Sequence, residues 1–67
     1  MELEEHKREF DKLLESIPPQ HRDALAEFRD SLTIGVEMFK RYGMETKFIE
    51  TELELVNRKL AELDSLE

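Results

Sequence analysis

The side chains that could support chemistry are two histidines and many carboxylates. His6 has Glu2 four residues before it and Glu9 three residues after it, so a helix would place all three on one face. Such a face could hold a divalent cation weakly. A di-iron helical bundle, however, needs Glu-x-x-His pairs, and neither His6 nor His21 has a glutamate three residues before it. We therefore expect His6 to be a half-buried helix residue paired with its acidic neighbours, and we expect no metal or other cofactor.

Nucleophilic and acid–base catalysis have no better support. The 67 residues include no cysteine, which excludes thiol nucleophiles, disulfides and thiolate zinc sites. Ser16, Ser31 and Ser65 have no glycine elbow and no histidine at a spacing that would indicate a catalytic pair. Nothing marks one carboxylate as desolvated, so acid and base roles cannot be assigned, and a short helical bundle has little room for a pocket. We predict that the protein is not an enzyme and has no small-molecule substrate.

Prolines and glycines divide the chain into three segments. Pro18 disfavours helix in the residue before it, and Pro19 can open the next helix because its missing N–H is no loss there. Gly43 follows Lys40 and Arg41, and cations next to a glycine are typical of a helix C-terminus. The sequence therefore predicts a single all-α domain over 1–67, with helices at about 2–17, 19–42 and 45–66.

Each predicted helix has apolar residues spaced three and four apart, a coiled-coil-like heptad seam. The seams are Leu3, His6, Phe10, Leu13 and Ile17; Leu25, Phe28, Leu32, Gly35, Phe39 and Tyr42; and Ile49, Leu53, Val56, Leu60 and Leu63. The second seam continues in phase into the third, as it would in one continuous helix over 19–66. We favour a turn at Gly43 over that alternative, because the basic last turn and the glycine together form a stop signal.

Further apolar side chains lie off these seams. Ile34 and Met38 point away from Leu25, about 180° around the helix in the case of Ile34. Phe48, Leu55 and Leu66 form a second stripe on the third helix, displaced about 100° from its seam. Either the first helix covers that stripe, giving a three-helix bundle, or part of this surface is an interface with another chain. The candidate interface residues are Ile34, Met38, Phe48, Leu55, Leu66 and the aliphatic stem of Lys59.

Size and charge point to a protein partner. Burial and chain entropy nearly cancel in so short a chain without disulfides, so we expect oligomerisation, as a homodimer or in a constitutive complex. The formal net charge of −7 disfavours direct nucleic-acid binding. No apolar run is long enough to cross a membrane, and we expect a cytoplasmic protein. The leading hypothesis is a non-enzymatic helical interaction module that acts as an adapter, regulator, chaperone or accessory subunit. The alternative is an acidic decoy that mimics nucleic acid and occupies a basic protein.

One segment resembles a known family. Gly35 to Tyr42, read as Gly-Val-Glu-Met-Phe-Lys-Arg-Tyr, is similar to the Gly-Val-Glu-Leu segment of the small subunit of exodeoxyribonuclease VII. The resemblance implies a small, acidic, helical, non-catalytic accessory subunit in which Gly35 is a close-packing position. It covers eight residues, and Ile17-Pro18-Pro19-Gln20 stands where that family has a Leu-Pro-Leu element.

Overall fold

The computed structural model describes residues 2–65, which form three α-helices and no β-strand. Helix α1 spans Glu2–Glu15, α2 spans Arg22–Arg41 and α3 spans Lys47–Ser65. One turn of 3-10 helix, Pro19–His21, leads directly into α2. The all-α class and the three-helix arrangement predicted from the seams are confirmed.

The proline pair ends α1 slightly earlier than the sequence predicts. The helix stops at Glu15, and the next turn tightens, because the Ser16 N–H donates to the Leu13 carbonyl at 3.2 Å. Pro18 is extended (φ −71°, ψ 153°), the conformation favoured for a residue that precedes a proline. Pro19 then starts the 3-10 turn, in which the absence of its N–H leaves no hydrogen bond unmade.

Gly43 ends α2, so the prediction of a turn is confirmed and a continuous helix over 19–66 is wrong. Its φ of +69° lies in the left-handed region, which glycine enters without steric cost. The Gly43 N–H donates to the Lys40 carbonyl at 3.2 Å, and the Met44 N–H donates to the Phe39 carbonyl at 2.8 Å. These are the two hydrogen bonds of a Schellman motif. Helix α3 begins two residues later than predicted, at Lys47.

Helix α3 is the central element because both other helices pack on it. The buried residues are Leu14 of α1; Leu25, Leu32 and Val36 of α2; and Leu55, Val56, Leu60 and Leu63 of α3. Half of this core thus belongs to α3. On one side, His6 of α1 contacts Phe48 with ring centroids 5.1 Å apart, so α1 covers the second apolar stripe of α3. On the other side, Gly35 of α2 lies so close to Ile49 that a β-carbon would approach its Cδ1 to 2.7 Å.

The three helices form a flattened body. Its principal extents are 39, 26 and 14 Å. Its radius of gyration is 12.6 Å, compared with about 11 Å for a compact domain of this length. Flattening leaves a large part of the two outer helices in contact with solvent, and on α2 that part includes several large apolar side chains.

Candidate interaction surface

Helix α2 and its C-terminal cap residue carry four large, exposed hydrophobic residues, of which Phe28 lies towards α1. We call Phe28, Ile34, Met38 and Tyr42 the outer α2 surface; their exposed fractions are 43%, 60%, 49% and 70%. Ile34, Met38 and Tyr42 follow at intervals of four, so they lie along one line of the helix. Grouped apolar side chains on a small domain are typical of an interaction site, whereas scattered ones are not.

The inner side of α2 fixes the direction of this surface. Leu25, Leu32 and Val36 are buried, and they recur at intervals of seven and four, so they form one stripe against α3. Ile34 follows Leu25 by nine residues and therefore points about 180° away from it. Because the inner stripe is anchored in the core, α2 cannot rotate to bury Ile34 without exposing its leucines.

The junction of α1 and α2 holds an open apolar groove of about 340 Å³ next to Phe28. Its lining comprises Ile17, Pro18, Ala24, Leu25 and Phe28, with Ser16 and His21 as polar members. The Phe28 ring lies 6.4 Å from the Phe10 ring, between centroids, and links the groove to α1. The Ser16 hydroxyl already donates to the Leu13 carbonyl at 2.7 Å. This groove offers apolar contact area rather than an activated nucleophile.

The candidate residues on α2 and at the start of α3 are exposed, and Leu55 is not. Ile34 and Met38 belong to the outer α2 surface. Phe48 is 40% exposed, but part of its ring is used in the contact with His6. Leu55 is only 3% exposed and lies in the core, so its inclusion among residues free for a partner is corrected. The physical reason is that α1 covers this stripe of α3.

Of the other two candidates, Lys59 contributes little to an exposed apolar surface. Lys59 is half-buried and lines a shallow cleft between α1 and α3 together with Asp11 and Glu62. Leu66 lies outside the described residues. Within residues 2–65, the exposed apolar candidates thus lie mainly on α2.

Sequence reasoning missed Phe28, Tyr42 and Leu13 as exposed residues, because each belongs to a predicted seam. Leu13 is 64% exposed, whereas its neighbour Leu14 is buried. Adjacent residues of a helix point about 100° apart, so only one of the two leucines can face the centre of the core. Their adjacency in the sequence could have indicated that one of them is exposed. Tyr42 is the C-terminal cap residue of α2 and lies directly before the turn at Gly43.

His6 does contact a carboxylate, but one that belongs to another helix. Its Nε2 lies 2.7 Å from Oε2 of Glu52 on α3, and the expected pairing with Glu2 or Glu9 is not observed. The imidazole is half-buried and stacks at 6.0 Å on the Phe10 ring of the same helix. The contact with Glu52 is the one that orients α1 on α3. Within residues 2–65, no three metal-ligating side chains come together.

A two-pronged ion pair joins the N-terminus of α2 to the C-terminus of α3. Arg22 donates from Nε to Oδ1 of Asp64 at 2.7 Å and from Nη2 to Oδ2 at 3.2 Å. The hydrogen bond from Arg22 lowers the pKa of Asp64, and the same hydrogen bond raises the pKa of Arg22. At the opposite end of this helix pair, Lys40 Nζ lies 3.6 Å from Glu50 Oε1. These pairs align the two helices.

Comparison with known proteins leaves this surface as the main guide to function. No family model, curated protein sequence or solved structure matches the chain. The likeness of Gly35–Tyr42 to the exodeoxyribonuclease VII small subunit is therefore limited to those eight residues and carries no argument. Over the described range, no helix combines the length and apolar character needed to cross a lipid bilayer.

Proposed function

We propose that this protein is a non-enzymatic protein–protein interaction module that binds through the outer α2 surface. The observation that carries the proposal is the exposure of Ile34, Met38 and Tyr42 along one line of a helix whose opposite side is locked in the core. Nothing else in residues 2–65 covers this line. A helical partner that covers it would complete the packing that α3 provides on the inner side.

The energetic gain from covering this surface is appreciable. Fully burying a large apolar side chain contributes roughly 1.5–3 kcal/mol, and the four residues are about half exposed. Covering all four therefore contributes roughly 3–6 kcal/mol from this chain alone. Association itself costs several kcal/mol, so the partner must present a matching apolar face.

The rival proposal is the acidic decoy. It draws support from the net charge of −7. Several carboxylates are already engaged within the chain, however, as in the pairs of Arg22 with Asp64 and Arg58 with Glu54. The two proposals differ in salt dependence, because a mainly apolar interface survives high salt whereas an electrostatic one is screened.

The test compares Met38→Glu with Leu13→Glu, a matched control that places the same charge on an exposed apolar residue of α1. Molar mass by light scattering reports self-association, and immobilised protein reports retention of other polypeptides, each at about 0.15 and 0.5 M salt. We expect a complex that persists at the higher salt, is lost in Met38→Glu and is kept in Leu13→Glu, with unchanged helicity by circular dichroism. The proposal fails if no association depends on Met38, and loss of binding at high salt alone would favour the decoy.

A further inference from the structure

Three exposed residues in the C-terminal half of α2 form a short, evenly spaced row. Ile34, Met38 and Tyr42 lie at intervals of four and are 60%, 49% and 70% exposed. Rows of this spacing run obliquely along a helix, and two of them interdigitate when the helices cross at about −50°, the commonest packing class in globular proteins. The row can therefore accept another helix that crosses α2 near Met38.

The row is clear of the two places at which α2 is already covered. Ile49 of α3 packs over Gly35, and Phe28 faces Phe10 of α1. Met38 points about 60° away from Gly35 around the helix, and it lies ten residues, about 15 Å, beyond Phe28. A helix that crosses α2 steeply at Met38 diverges from it after about one turn on either side. It therefore reaches neither Phe28 nor the side of Gly35 that Ile49 covers.

The row is complementary to itself. A two-fold axis through Met38, perpendicular to α2, would place Ile34 of each copy against Tyr42 of the other, because both lie four residues from the axis. The two Met38 side chains would meet at the centre, where the flexible thioether can adapt to its own copy. An isologous dimer needs a patch that matches itself in this way. We propose, on the basis of the proposed function, that the partner is a second copy of this chain, whose α2 crosses the first antiparallel at Met38.

The charges beside the row favour the antiparallel direction. Glu37 and Arg41 occupy the adjacent row, are exposed, and form no ion pair within residues 2–65. In the antiparallel crossing, Glu37 of each copy comes near Arg41 of the other, because the two positions lie almost symmetrically about Met38. A parallel crossing would instead bring the two Glu37 carboxylates together and the two Arg41 guanidinium groups together.

Net charge favours contact between copies through α2 rather than through the other helices. Residues 18–43 contain four acidic and four basic side chains, whereas residues 1–17 contain six and three, and residues 44–67 contain seven and three. Two copies repel each other least if they meet at their neutral segments.

The dimer should be weak, because the contact is short. A steep crossing covers less than the ~800 Å² that a standard interface covers on each partner. We therefore expect a dissociation constant between about 10 µM and 1 mM.

The first experiment introduces single cysteines, because the 67 residues include none. When two helix axes cross at about 8–10 Å, the α-carbons that face each other lie about 5 Å apart, a separation that suits a disulfide. Under mild oxidation, Met38→Cys should form a linked dimer about 10-fold faster or more than Thr33→Cys. Thr33 is also exposed, but it points about 140° away from Met38.

The second experiment tests the register. Ile34→Glu and Tyr42→Lys each place a charge against an apolar side chain twice per dimer, so each should raise the dissociation constant about 10-fold or more. Mixed in equal amounts, the two variants should form a heterodimer in which one contact is native and the other joins opposite charges. Sedimentation velocity with one variant fluorescently labelled measures this recovery, which also shows that the single variants are folded.

The outcomes separate this inference from the proposed function. A Met38→Cys protein that links no faster than Thr33→Cys, or a mixture that does not recover, overturns the crossing at Met38. A wild-type chain that stays monomeric at about 1 mM but binds another polypeptide through Met38 overturns the second copy as partner and leaves the proposed function standing. A monomer with no association that depends on Met38 overturns both.

Discussion

The replacement of Leu55 by alanine tests whether α1 covers the second stripe of α3. Leu55 is 3% exposed, so the substitution removes buried methyl groups and leaves a cavity between α1 and α3. Leucine-to-alanine changes in cores cost about 2–5 kcal/mol. A chain of 67 residues has a total free energy of unfolding of only about 3–10 kcal/mol. The change therefore removes a large share of the stability.

The same substitution at Leu13, which is 64% exposed, is the matched control. Surface changes of this type alter the free energy of unfolding by less than about 0.5 kcal/mol. In a domain of this size, 1 kcal/mol shifts Tm by about 4–8 °C. We thus expect a decrease of about 12–24 °C for a loss of about 3 kcal/mol in Leu55→Ala, and less than about 4 °C in Leu13→Ala.

Thermal melts followed by circular dichroism measure both variants. They must be compared at one protein concentration, because association stabilises the folded state by mass action. A Leu55→Ala protein that melts within about 4 °C of wild type, or a Leu13→Ala protein that falls as far as Leu55→Ala, would refute the packing of α1 described here.

Two further predictions concern the turn and the ion pair between α2 and α3. Gly43→Ala should destabilise the protein by about 1–2 kcal/mol, because alanine is strained in the left-handed backbone region. Gly43→Asn should lose less stability, because asparagine tolerates that region better. A Gly43→Ala protein with the same Tm as wild type would contradict this. Asp64→Asn should lower Tm at neutral pH, where the hydrogen bond from Arg22 holds the pKa of Asp64 below its unfolded value. That stabilisation is present above the unfolded pKa of about 4 and is lost as the pH falls through the lower folded pKa. The Tm difference between wild type and variant should therefore shrink steadily as the pH falls below about 4, and a difference that does not shrink argues against it.

Local chemistry explains why the helix boundaries were predictable. Pro18 and Gly43 act on their own backbone, through a fixed φ and through access to positive φ, so their effects do not depend on distant residues. The Schellman turn needed only the glycine and its flanking residues. The end of α1 was misjudged by two residues because its last turn tightens before the prolines, a detail that depends on individual backbone hydrogen bonds.

Contacts between helices could be predicted only in part. A helical wheel gives the direction of Leu55 and of Ile34 but not which neighbour covers each of them. The two stripes therefore looked equivalent, and only the packing of α1 decides that Leu55 is buried and Ile34 is exposed. The pairing of His6 with Glu52 spans 46 positions in the sequence, so no local pattern could indicate it.

The central claim is that the outer α2 surface is an interface left open in the isolated chain. Sedimentation equilibrium of the wild-type protein, from about 1 µM to 1 mM, tests it most directly. If a second copy covers this surface, the dimer fraction must rise with protein concentration by mass action. We predict a mass that rises from 8.0 kDa to twice that value, and a rise that Met38→Glu removes. A mass of 8.0 kDa at every concentration, in a protein that also retains no other polypeptide through Met38, would contradict the account.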